Sequence, residues 1–261
     1  MVHEDQARQA LENALLDSGQ VVLKALDGVG PALEIDPGTY VYPASMLKTP
    51  LAAVALELVE RGELRLDQSF ECSDWNMTAN DAESPFVTGF RGPLSLIVER
   101  ALTHSDNVAT NMLYDICGRE RATHVAQQKL GLPETAFHRK LSGSEPLIVD
   151  PEWDGINRNR HSARDAARLF ELIATDGVPY AALLREILAK QQFNDKLSKG
   201  LEPNDHFAHK TGDTDEVTHD GGILTLPNGR RYVLVVYTSL ESTPEHNARF
   251  APFMRAIRPL L

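Results

Sequence analysis

The chain carries two kinds of apolar spacing, and they occupy different stretches. Ala7, Ala10, Leu11, Ala14 and Leu15 recur every three or four residues, which predicts a helix over 4–16. The next apolar runs are short: 20–26 and 32–35 read as strands joined through Asp27-Gly28-Val29-Gly30, a hairpin signal. From Ser45 the period is helical again, with Leu47, Leu51, Val54 and Leu58 on one face and Arg61-Gly62 as the stop. Further helical stretches lie at 94–102, 107–117, 119–130, 163–175 and 180–191. The pattern then returns to strands at 206–211, 221–226 and 231–239, the last two parted by the turn Pro227-Asn228-Gly229. A final helix over 244–257 presents Phe250, Phe253, Met254 and Ile257.

Strands at both ends with helices between them predict an α/β (α+β) fold. One antiparallel sheet is built from both chain ends and flanked by the terminal helices, and an all-helical lobe is inserted. The 261 residues suffice for one domain of two packed lobes, a sheet lobe from 1–43 and 206–261 and a helical lobe from 44–205. A cleft between two such lobes is a natural active site.

Charge narrows the partners. With 26 Lys plus Arg against 37 Asp plus Glu, the formal charge of −11 argues against nucleic acid and anionic membrane surfaces. The most apolar stretches, 51–56 and 232–237, are too short to span a bilayer. A small-molecule substrate and a monomer are expected. Met1-Val2-His3-Glu4-Asp5 lacks the basic start and apolar segment of a secretory signal. The expectation is a cytoplasmic protein, or a secreted one whose signal has been removed. Cys72 and Cys117 read as two separate buried thiols. His104, His138, His161 and His209 fall near the motifs described next but form no metal-ligand spacing, so neither a metal nor an organic cofactor is expected.

Three short motifs carry the chemistry: Ser45-Met46-Leu47-Lys48, Ser105-Asp106-Asn107 and Lys210-Thr211-Gly212. Ser45 stands where a loop containing Pro43 becomes a helix, and positions i and i+3 share a helix face, so Lys48 can point at Ser45. A serine hydroxyl is a weak nucleophile at neutral pH, and a lysine made less basic by burial could take its proton. A backbone N–H at the helix start could hold an oxyanion. Ser105 could relay a proton, Asn107 could hold a substrate amide, and Asp106 could brace the loop. Lys210 could act on Ser105, Thr211 could meet a carboxylate, and Gly212 would let substrate lie against a strand. Each fragment alone also fits a plain helix cap or a strand lysine. Their order and their contexts together (helix start, capping loop, strand) point to acyl-serine chemistry.

On these motifs the chain resembles the penicillin-recognising serine hydrolases, most closely class A β-lactamases, over nearly its whole length. The resemblance implies the two-lobe fold. It also implies Ser45 as nucleophile, Lys48 as general base, Ser105 as proton shuttle, Asn107 as substrate ligand, and Lys210 and Thr211 as ligands on the carboxylate side. The oxyanion hole would be the N–H groups of Ser45 and Asp213.

Two stretches depart from that pattern. The family's Glu-x-x-Leu-Asn, whose glutamate activates the deacylating water, has no counterpart here: alignment puts Leu141 or a neighbour near its place. Glu145 and Glu152 are loop candidates, but Glu152 is five residues before Asn157, not four. The segment 157–165, leading into 166–172, resembles β-lactamase-like proteins that lack the glutamate. After the third motif, Asp213, Asp215 and Glu216 crowd the expected carboxylate site, and His219 falls near the family's carboxylate-binding arginine. The first departure favours slow deacylation, and the second a neutral or cationic substrate. The expected activity is attack on a lactam or amide carbonyl through acyl-Ser45. The alternatives are an esterase, amidase or D,D-peptidase on the same scaffold, or a β-lactam-binding protein that is acylated without turning over.

Overall fold

A computed structural model describes residues 4–16, 19–28, 32–80, 82–143 and 150–261. The chain begins with helix α1 (Glu4–Asn13), strands β1 (Gln20–Ala25) and β2 (Ala32–Ile35), and helix α2 (Lys48–Glu60). Two three-residue strands, β3 (Ser69–Glu71) and β4 (Arg91–Pro93), precede helices α3 (Leu94–Thr103), α4 (Asn107–Cys117) and α5 (Arg119–Gln128). After a long loop come α6 (Ala163–Ala174) and α7 (Ala181–Leu188). The chain closes with β5 (His206–Asp213), β6 (Thr218–Thr225), β7 (Arg231–Tyr237), α8 (Pro244–Ala248) and α9 (Phe250–Ile257).

The five long strands form one sheet in the order β2-β1-β7-β6-β5, and every neighbouring pair is antiparallel. The first two strands of the chain thus pair directly with the last three, as the pattern at the two ends predicts. Alternation along β7 divides the core. Val233, Val235 and Tyr237 face the central helices, whereas Leu234 and Val236 face α1 and α9. Burial on both faces explains why β7 reads as an unbroken apolar run rather than an alternating one.

The structure differs from the pattern at four places, each for a physical reason. α2 is not an amphipathic surface helix: every residue from Lys48 to Leu58 except Glu57 is buried, so it is the axis around which the helical lobe packs. β6 starts at Thr218, three residues before the apolar run, because His219 and Asp220 are buried within the strand despite being polar. The final helix is two, α8 and α9, parted at Arg249. Pro252 lacks an N–H for the carbonyl of Ala248 and its ring clashes there, which breaks a continuous helix. The short pair β3 and β4 gives no periodic signal at three residues apiece. In the expected hairpin turn Asp27-Gly28-Val29-Gly30, Gly28 has φ 72°, while Val29 and Gly30 lie outside the described residues.

Cys72 and Cys117 are both free and buried, and burial pushes the Cys117 thiol up to about 12. Among the described residues no helix is long and apolar enough to cross a membrane.

Candidate active site

Ser45 sits in a single 3-10 turn, Ala44–Leu47, wedged between the loop from Pro43 and the start of α2. The turn is entered through Ala44 at φ 47°, a left-handed conformation that costs a residue with a Cβ about 1 kcal/mol or more. Ser45 is half-buried and lines a cleft of about 730 Å³. Three residues on, Lys48 is wholly buried. Its ammonium donates to Ser105 O at 2.5 Å, Ser105 Oγ at 3.1 Å and Asn107 Oδ1 at 2.7 Å.

The second motif is a helix cap that also reaches the site. Asp106 caps α4 by accepting the N–H of Ala109 at 3.0 Å. Ser105, just before it, has φ 51°, and its hydroxyl accepts from Lys48 and Lys210. Asn107 is pinned on two sides. Its N–H donates to Asn80 Oδ1 at 2.5 Å, and its Nδ2 donates to Ala79 O at 2.8 Å. The third motif arrives on β5. Lys210, wholly buried, donates to Ser105 Oγ at 2.9 Å and to Thr211 O at 2.9 Å. The Ser105 hydroxyl therefore lies between two ammonium groups that reach it from different elements. Lys48, Ser105, Asn107 and Lys210 form one hydrogen-bonded cluster, and Asn107 lines the same cleft as Ser45. Thr211 is buried beside Lys210.

Gly212 has a second reason to lack a side chain. A Cβ there would lie 3.1 Å from Pro43 O, 3.2 Å from Met46 Cγ and 3.3 Å from Ala44 Cβ. β5 presses on the very turn that carries Ser45, so the glycine admits protein and not only substrate. Asp213, next along, lines the cleft. Its carboxylate accepts from Lys196 at 2.6 Å, Ser242 at 2.5 Å and Thr218 at 3.2 Å. Burial works against its charge, but Lys196 and Ser242 overcome this and hold the carboxyl below its usual range.

His219 is not brought to the cleft. It is wholly buried on β6, stacked on Tyr237 with ring centroids 4.2 Å apart. Its Nε2 donates to Tyr42 O at 2.8 Å and its Nδ1 accepts the Thr238 N–H at 3.1 Å. One nitrogen donates and the other accepts, so the ring is neutral and its tautomer is fixed. Burial drives its pKa down to about 4. The expected carboxylate ligand is instead a strut between β6 and the loop before Ser45. Glu216 turns to Arg158 at 3.1 Å, and Arg158 lies over the Tyr42 ring at 4.2 Å. Asp215 remains on the cleft wall.

The opposite wall is the loop between α5 and α6. Leu141 lines the cleft there. Asn159, wholly buried, ties the loop's two limbs: its Oδ1 accepts the N–H groups of His138 at 2.7 Å and Arg139 at 3.0 Å. Asp150 pairs with Arg119 and accepts Lys140 N at 2.8 Å. Glu152 points away, with a side chain 72% exposed and 3.6 Å from Arg119. Glu145 lies outside the described residues. Among the described residues no three or more His, Cys, Asp or Glu side chains gather as a metal site.

The model of the beta-lactamase enzyme family matches residues 5–257. The chain belongs to that family. It is 27% identical to the extended-spectrum beta-lactamase PER-1 of Pseudomonas aeruginosa, over 95% of this chain and 86% of that protein. The structure of PBP-A superposes with a TM-score of 0.84 at 23% identity, covering 98% of this chain and 95% of that one. A leucine-to-glutamate variant of PBP-A, solved as an acyl-enzyme complex with penicillin G, gives 0.82 at 24% identity, with coverage of 98% and 95%. The fold is that of the penicillin-recognising serine hydrolases.

Three of the buried polar residues outside the motifs hold the walls of the site. Lys196 holds the end of β5, Asn111 holds Leu141, and Asn159 closes the loop. Lys196 lies among polar residues with no periodicity. Asn111 sits on the apolar face of a predicted helix, where an uncharged polar residue was the one available signal.

Proposed function

We propose that the protein is a serine hydrolase of class A β-lactamase type that attacks a lactam, amide or ester carbonyl through an acyl-Ser45 intermediate. The observation that carries this is the Ser105 hydroxyl shared by Lys48 and Lys210, beside a cleft lined by Ser45 and Asn107. In the proposed reaction Lys48, in its neutral form, takes the Ser45 proton as Oγ bonds to the carbonyl carbon. Backbone N–H groups of Ser45 and Asp213 receive the oxyanion. The C–N or C–O bond then breaks, and the proton passes from Lys48 through Ser105 to the leaving atom. Lys210 favours negative charge along that path, and Asn107 holds the substrate amide.

The acyl-enzyme is proposed to be long-lived, as in an acylated binding protein or a peptidase with slow β-lactam turnover. What supports this is the apolar side chain of Leu141 on the wall where the resemblance expects a glutamate. The acyl-enzyme solved for the PBP-A variant fits acylation on this scaffold. Intact-protein mass, followed over time with a penicillin and with a cephalosporin, tests both halves. A persistent adduct on wild type that is missing in Ser45→Ala is the expected result. An adduct retained by Ser45→Ala sinks the nucleophile assignment, and one that clears within seconds sinks the slow deacylation.

A further inference from the structure

Lys196 reaches the site from behind the sheet. It belongs to none of the three motifs and is 1% exposed. Its ammonium donates to Asp213 Oδ1 at 2.6 Å, His219 O at 2.9 Å and Gly212 O at 3.3 Å. All three acceptors belong to the facing ends of β5 and β6, where Gly212 pairs with His219 and Asp213 with Thr218. Besides Lys210 and the cleft-lining Arg139 and Arg158, two groups near this end of the cleft are able to carry positive charge toward a substrate carboxylate, and both are withdrawn from that task. His219 is locked neutral between two backbone groups. Lys196 faces a carboxylate that lies between it and the cleft: Asp213 is on the lining and Lys196 is not.

A buried ammonium on its own projects a positive potential well beyond contact distance, because little water screens it. With a carboxylate at hydrogen-bond distance the pair projects only a dipole, and here its negative end faces the substrate. We infer that Asp213 is a specificity determinant: by claiming the charge of Lys196 it turns the cleft away from acyl donors whose leaving group ends in a carboxylate and toward those whose leaving group is uncharged. The inference rests on acylation at Ser45, as proposed above, and adds the class of acyl donor.

The test uses two thioesters with the same acyl group, one of mercaptoacetic acid and one of mercaptoacetamide. They differ by a single negative charge on the leaving group. The readout is the ratio of their acylation rate constants, charged over uncharged, with acylation at Ser45 followed by intact mass. A purely structural pair would slow both donors alike and leave the ratio unmoved. Asp213→Asn exposes the Lys196 charge and is expected to raise the ratio about tenfold, the size of one partly screened charge. Lys196→Met leaves Asp213 uncompensated and is expected to lower it by a similar factor, and the double variant is expected to return it toward wild type. Should Lys196→Met fail to fold, Asp213→Asn decides alone. An unchanged or lower ratio in Asp213→Asn, with Ser45 still acylated, overturns the inference and leaves the acylation reading standing. If wild type is acylated at Ser45 by neither thioester nor by the penicillin, both fall.

Discussion

Leu141 and Asn111 clamp one another. The Leu141 N–H donates to Asn111 Oδ1 at 2.8 Å and its carbonyl accepts from Asn111 Nδ2 at 2.9 Å. The backbone of the cleft wall is thus fixed by α4 independently of which side chain position 141 carries. Leu141→Glu is therefore expected to keep the loop in place while adding a carboxylate that can activate water. The acyl-enzyme lifetime, read by mass, should shorten about tenfold or more. An unchanged lifetime would show that water is not activated from this wall.

Ser105 combines a shared hydroxyl with a left-handed backbone at φ 51°. Both Ser105→Ala and Ser105→Gly should slow acylation by about 10²–10⁴, the range for a lost proton relay. Their stabilities should separate: the alanine variant is expected to be less stable by about 1 kcal/mol, since only glycine relaxes at positive φ. Urea denaturation of the two variants checks this, and equal midpoints would contradict the strain.

Gly212→Ala should strike the nucleophile without touching its side chain. The added Cβ meets Pro43 O, Met46 and Ala44 at 3.1–3.3 Å, so the turn carrying Ser45 must give by a few tenths of an ångström. A stability loss of about 1 kcal/mol is expected, with a larger proportional loss in acylation rate because the reacting atom itself moves. An acylation rate as high as wild type would mean that the turn yields elsewhere.

Acid should unfold the protein through two buried histidines. Burial lowers His161 to about 3 and His219 to about 4, from an ordinary 6.5. The unfolded chain then binds more protons, so the stability these groups give above pH 6.5 is lost as pH falls through that window toward 4 and 3. Asp165 opposes them: burial raises it from 3.8 to about 6, so its contribution is present at low pH and lost as pH rises through 6. Two histidines outweigh one carboxyl, and going from pH 7 to pH 5 should cost about 2 kcal/mol net. His219→Gln should reduce that slope in urea titrations at the two pH values. A slope identical to wild type would place the acid sensitivity elsewhere.

The sequence made the strand and helix order readable because both termini carry clean periodicities, and the three motifs could be placed because each sits at an element boundary with its own local signal. α2 was legible only in part: Leu47, Leu51, Val54 and Leu58 define a buried face, but Ala52, Ala53 and Ala55 are equally buried on the others. Small residues pack a helix on all sides without raising its apparent amphipathicity. At the site, position alone suggested that His219 was a ligand. Its role is decided by Tyr42 O and the Thr238 N–H, one of them 177 residues distant, and such pairings leave no trace in local pattern. Lys196 was invisible for the same reason, since its meaning depends on a carboxylate 17 residues away across a turn of the fold.

The sheet order places β5 at an edge, with β6 as its one neighbour in the sheet. An uncovered edge is a template on which other chains add strands. Three carbonyls of β5, on His209, Thr211 and Gly212, accept side-chain donors, from Gln191 Nε2 at 3.4 Å, Lys210 Nζ at 2.9 Å and Lys196 Nζ at 3.3 Å. From His209 to Gly212 the strand is buried, so the fold itself covers this stretch of the edge, and the lysine that reaches Ser105 also satisfies a carbonyl of the strand that carries it.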